Sequence, residues 1–138
     1  MFRSVLIGLL AGLIMIILMF LLNFVFYAID PSLKILYENS EVFRAQDDPL
    51  MILFPLYPFV LGIILAWIWT KTRDIIKVKQ DCQKGFYFGF VYWLLTIPGI
   101  LINYSSFPIP FLMPLSWSII SGIQGIAAGI VFAKLLKK

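Results

Sequence analysis

The sequence predicts an all-α membrane protein, a single domain over residues 1–138 made of four transmembrane helices. Three observations carry this. The chain is 62% hydrophobic and only 13% charged, with a mean hydropathy of +0.98, more apolar surface than one soluble core of this size can hide. Its apolar residues fall in four uninterrupted runs, at 5–29, 50–70, 85–103 and 111–133, each near the ~20 residues that cross a hydrocarbon core as a helix. The dividing segments are short and carry nearly all the charge, whereas a β-barrel needs alternating segments of about ten residues. Helices are therefore expected at about 4–29, 49–71, 85–103 and 111–134.

The first run follows Arg3 but outlasts the ~7–15 apolar residues of a signal peptide, and no small-x-small cleavage site follows it. An uncleaved first helix is expected. Arg3, the 71–84 segment and the C-terminal tail hold nine of the eleven lysines and arginines, leaving Lys34 and Arg44 for the other side. The positive-inside rule then places both termini in the cytoplasm. The net charge of +4 is explained by that bias, so nucleic acid is not an expected partner, whereas membrane lipid is.

In the outer 30–49 segment, Asp30-Pro31 reads as cap and first turn of a short amphipathic helix. Leu33, Leu36, Tyr37 and Phe43 recur at helical spacing, and the helix lies on the outer face or over the bundle mouth. Asp47-Asp48-Pro49 repeats the start signal, with Asp48 capping the second span, a better account of these acids than a metal site. Prolines crowd the outer ends, as Pro55, Pro58, Pro108, Pro110 and Pro114. Pro98 falls deep in the third span and frees the carbonyl of Leu94.

The two halves resemble each other. The first and third spans open with G-x-x-x-G, as Gly8/Gly12 and Gly85/Gly89, and each has an asparagine near its outer end, Asn23 and Asn103. In the fourth span Ser121, Gly125, Gly129 and Ala133 are four apart, with Ser118 and Gly122 beside them. Small side chains let helix backbones approach closely, where dispersion rather than hydrophobicity drives association. These faces are expected to pack helices, within the chain first or against a second copy or another membrane protein.

Gln124 lies at the edge of that stripe near mid-membrane, where an unpaired amide costs a few kcal/mol. The expected partners are the Leu94 carbonyl or the Thr96 hydroxyl, which would join the third and fourth spans. Tyr27, Tyr104, Trp67 and Trp69 fall near predicted boundaries, as in an interfacial belt, and Trp93 is deeper, as core filling.

The residue types limit function. The chain has no histidine, and no carboxylate falls inside a predicted span, so acid–base chemistry in the membrane has no evident agent. No catalytic, metal-ligating or cofactor-binding residue is assigned, and no cofactor is expected. The single cysteine, Cys82, excludes an intrachain disulfide or a thiol pair. Two classes remain. An accessory, structural or lipid-interacting bundle would have a filled interior with its polar groups paired. A small-solute transporter or channel would have a polar cavity reaching Asn23, Thr96 or Gln124 from one side.

From Lys84 onward, Gly85 and Gly89, the Pro98-Gly99 break, Asn103-Tyr104 and the glycine-rich last span resemble small uncharacterised four-helix integral membrane proteins of bacteria. The resemblance covers the C-terminal third to half of the chain and implies an inner-membrane location without an activity. Small multidrug-resistance transporters share the helix number, but their first-span glutamate has no counterpart here. Vitamin K epoxide reductase relatives share it too, but need paired cysteines.

Overall fold

The computed structural model describes residues 2–137 and is helical, with no strand among the described residues. Helix α1 spans Phe2–Ile29, α2 Ser32–Glu38, α3 Leu53–Thr72, α4 Asp81–Ser106 and α5 Leu112–Leu135; a 3₁₀ turn, Pro49–Ile52, leads into α3. Four units, namely α1, Pro49–Thr72, α4 and α5, are long and apolar enough to cross a membrane.

Helix starts follow local chemistry. The Asp48 carboxylate accepts the Leu50 N–H at 2.8 Å with Pro49 at the first position, the expected cap, although it opens a 3₁₀ turn rather than α3 directly. The Asp30 carboxylate likewise accepts the N–H and hydroxyl of Ser32, at 3.0 and 2.6 Å. Helix α4 is longer than expected at both ends. It gains a first turn from Asp81, whose negative charge suits the positive end of a helix. It stops at Ser106 because Phe107 precedes Pro108 and turns extended, at φ −113° and ψ 138°. Pro58 and Pro98 are accommodated without ending their helices.

The glycines explain which helices pair. A Cβ on Gly8 would lie 2.6 Å from the Ile63 Cα, one on Gly12 2.7 Å from the Phe59 Cα, and one on Gly62 2.2 Å from the Gly8 carbonyl oxygen. Helices α1 and α3 thus cross backbone to backbone as one antiparallel hairpin. The second hairpin repeats the device. A Cβ on Gly85 would stand 2.5 Å from the Gly129 carbonyl oxygen, and one on Gly89 2.3 Å from that of Gly125. The paired G-x-x-x-G signals of α1 and α4 therefore each close a hairpin with the next long helix.

The hairpins meet through α1 and α5, and α3 makes little packing with α4. Ala11, Met15, Leu65, Trp69, Phe88 and Phe132 form a filled core in the half nearer the 71–84 segment. There, Trp69 is 2% exposed and stands edge-on to Phe88 at 5.3 Å. This corrects its expected belt position; Trp67, 59% exposed, keeps an outward one. At the opposite end Met19, Phe26, Ile109, Met113 and Ile120 surround Leu33, so α2 is seated on the bundle by its apolar face. Arg3 and Arg73 donate to the carbonyls of Leu135 and Leu136, placing cations at the negative end of α5.

Candidate functional site: a polar cavity between the two hairpins

Because α3 and α4 stand apart, a cleft runs between them, and its half on the 30–49 side is a cavity of about 570 Å³, within the usual ~300–1,000 Å³ of ligand pockets. Every long helix contributes polar groups to it: Asn23 from α1, Tyr57 from α3, Thr96 and Asn103 from α4, Ser121 and Gln124 from α5, set in a wall that is otherwise apolar, with Met19, Phe54, Ile100 and Ile120. Tyr37, Arg44 and Gln46 of the 30–49 segment line its mouth.

Gln124 forms the deep end. It is 4% exposed, and its amide nitrogen donates to the Met15 carbonyl at 2.7 Å. The expected link to α4 is therefore corrected: Gln124 joins α5 to α1, and so one hairpin to the other. The reason is geometric. Leu94 lies on the outer face of α4, 45% exposed, while the small face of α5 is already occupied by α4. Gln124, at the edge of that face, turns to the next helix round. Thr96 instead donates to the Trp93 carbonyl at 2.7 Å and lies 3.2 Å from the Ser121 hydroxyl.

Trp93 is half-buried and links the same two helices. Its indole N–H donates to the Ser118 hydroxyl at 3.1 Å, and its ring covers Gly122, where an added Cβ would come within 3.1 Å. Ser118 and Gly122 thus hold the rim of the α4–α5 seam, Gly125 and Gly129 its middle, and Ala133, 3% exposed, its end in the filled core.

Asn23 is half-buried and Asn103 exposed; among the described residues neither side chain has a hydrogen-bond partner. Amides so placed on apolar helices need water or a ligand to satisfy them. The other polar lining groups are held in place. Trp117 donates to the Tyr37 hydroxyl, and burial pushes the Tyr37 phenol up to about 12, so it stays neutral. Arg44 bonds Asp48 at 2.7 Å; the Leu50 N–H, and then Arg44, lower the Asp48 carboxyl below its ordinary value. No carboxylate lines the cavity, and among the described residues no group of three or more metal-ligating side chains gathers anywhere.

Sequence reasoning found Asn23, Thr96 and Gln124 but missed Tyr57. Its hydroxyl meets that of Tyr92 at 3.4 Å across the α3–α4 cleft and closes the cavity on the side of the 71–84 segment. No aromatic pattern in the chain singles out that pair. No family model, curated protein or solved structure matches this chain.

Proposed function

We propose that the chain is a non-catalytic, multi-pass protein of a bacterial cytoplasmic membrane that binds a small uncharged polar solute, as the outward-facing half of a transport path. The observation that carries this reading is the asymmetry of the bundle. One half is a packed core around Met15 and Phe132, with only an apolar groove beside it between α3 and α4, and the other holds a cavity whose polar groups end at Gln124. An accessory bundle has no use for unpaired amides at the wall of a cavity. A transporter does, because its solute must replace water's hydrogen bonds.

The lining sets the solute class. Carboxamides and hydroxyls match neutral donors and acceptors, and the one cation at the mouth, Arg44, is already engaged by Asp48. A cationic solute would find no countercharge and an anion only a shared one. Hydrolytic chemistry has no histidine to use. The lysine and arginine bias supports cytoplasmic termini, with the cavity mouth outward. The filled half supports a path that opens by movement of one hairpin against the other rather than a standing channel. The glycine faces are consumed within the chain, so self-association through them is not part of the proposal.

The test titrates the full chain in mild detergent with a panel of uncharged polyols and carboxamides, following the melting temperature. At least one compound should raise it in a saturable way, and an Asn23→Leu, Gln46→Leu variant should lose that rise. An equal rise in the variant, or none with any compound, rejects the reading.

A further inference from the structure

The other half of the α3–α4 cleft is a different site, independent of the polar cavity. Beyond the Tyr57–Tyr92 contact lies a groove of about 660 Å³ whose walls are apolar, with Leu61, Ile64 and Ile68 on α3 and Val91 and Leu95 on α4. The Thr72 hydroxyl, at its open end, is spent on the Ile68 carbonyl at 2.9 Å. Tyr87 and Tyr92 also line the groove, and the Tyr92 hydroxyl is turned to that of Tyr57.

The segment after α3 shapes the end of the groove. Ile75, Ile76 and Val78 are apolar residues inside the most basic stretch of the chain, and all three line it. A tight turn, with the Val78 N–H on the Ile76 carbonyl at 2.9 Å, turns Ile76 and Val78 toward the groove and leaves Lys77 and Lys79 exposed between and beyond them. Among the described residues neither lysine makes an ion pair.

Length decides the occupant. From Thr72 to Leu61 the groove follows α3 for about 16 Å at 1.5 Å per residue, close to half of the ~30 Å hydrocarbon core. That is the depth of one leaflet. The groove begins at Ile76 and Val78, whose sequence neighbours Lys77 and Lys79 are exposed, and ends where the tyrosine hydroxyls close the cleft.

We infer that this groove is a binding site for one anionic phospholipid of the leaflet on the 71–84 side. An acyl chain lies between α3 and α4 against Ile64 and Val91, and the headgroup phosphate pairs with Lys77 and Lys79. The alternation of apolar and basic residues over 76–79 serves both parts of one amphiphile. The lipid fills the gap that α3 and α4 leave, so it supports the hairpin arrangement.

The test uses the full chain, extracted in mild detergent from vesicles of equal parts phosphatidylglycerol and phosphatidylcholine, with retained lipid counted by native mass spectrometry. The native chain should keep one phosphatidylglycerol in clear preference. Each lysine replaced in Lys77→Gln and Lys79→Gln should lower that preference about fivefold, as expected for roughly 1 kcal/mol per basic residue near a charged surface. Both are exposed, so folding is not at issue. An Ile64→Trp, Val91→Trp variant, altered at half-exposed walls, should lose retained lipid of either kind while its helix content by circular dichroism is unchanged. Equal retention of the two lipids by the native chain, or retention unchanged by the tryptophans, overturns the proposal.

Discussion

The side-chain amide of Gln124 donates to the main-chain carbonyl of Met15 at 2.7 Å, a bond between residues 109 apart in sequence that joins α5 to α1. It sits at the boundary between the filled core, which includes Met15, and the polar cavity, which Gln124 lines. One bond therefore fastens the two hairpins where the bundle changes character.

Gln124→Leu should destabilise the chain by about 1 kcal/mol, within the ~0.6–2 kcal/mol of intramembrane hydrogen bonds, with α1 and α5 loosening. Thr96→Val should leave that link intact. Unfolding by denaturing detergent measures the first. A spin-label distance between α1 and α5 measures the second and should widen in Gln124→Leu alone; no widening there, with the α4–α5 distance widening in both variants, would restore the α4 partner.

The glycine contacts divide sharply by position. Gly89→Ala places a methyl group 2.3 Å from the Gly125 carbonyl oxygen, backbone that has no rotamer to yield. It should cost about 1–3 kcal/mol, as overpacking does. Gly99→Ala meets nothing within 4 Å and should be neutral or slightly stabilising, since alanine favours helix over glycine by ~1 kcal/mol. The same unfolding assay on both variants checks the contrast.

Acid should act on the start of α3. The Asp48 carboxyl is lowered from its ordinary 3.8 by the Leu50 N–H and then by Arg44. Its contribution is present above that value and lost as pH falls through the lower folded one. The protection factor of the Leu50 amide against hydrogen exchange, relative to its intrinsic rate at each pH, should stay constant down to pH 3.8 and fall below it. In Asp48→Ala it should be low throughout.

Tyr37 should titrate in the opposite range. Burial raises its phenol to about 12 from an ordinary 10.0, so its folded form keeps the proton longer than the unfolded chain does. The stabilising contribution is complete below pH 10.0 and is lost as pH rises toward about 12. Ultraviolet absorbance of the phenolate, compared with Tyr37→Phe, isolates the step.

How much of this was legible follows from what membrane sequences encode. Run length shows four spans, and Asp48-Pro49 shows a cap, because both are local. Gly85/Gly89 and Gly125/Gly129 reveal faces that demand close approach, because only glycine allows it. The partner of Gln124 is not local, and hydropathy cannot find it, since lipid-facing and core-facing positions are equally apolar. Trp69 near a helix end reads like a belt residue for the same reason. Arg3 and Arg73 read only as topology signals, although both also reach the last carbonyls of α5. Ile76 and Val78 hide among lysines, where charge dominates any window average.

The central claim is a polar cavity open on the 30–49 side and sealed toward the other, and thiol labelling tests it directly. In a Cys82→Ser background, single cysteines replace Asn23, Ser121 and Ala128 in reconstituted vesicles of known orientation, exposed to a membrane-impermeant reagent from each side. The account predicts labelling of Asn23→Cys and Ser121→Cys from the 30–49 side alone and of Ala128→Cys, fully buried in the packed core, from neither. Protection of Ser121→Cys from both sides, or its labelling only from the 71–84 side, would contradict it.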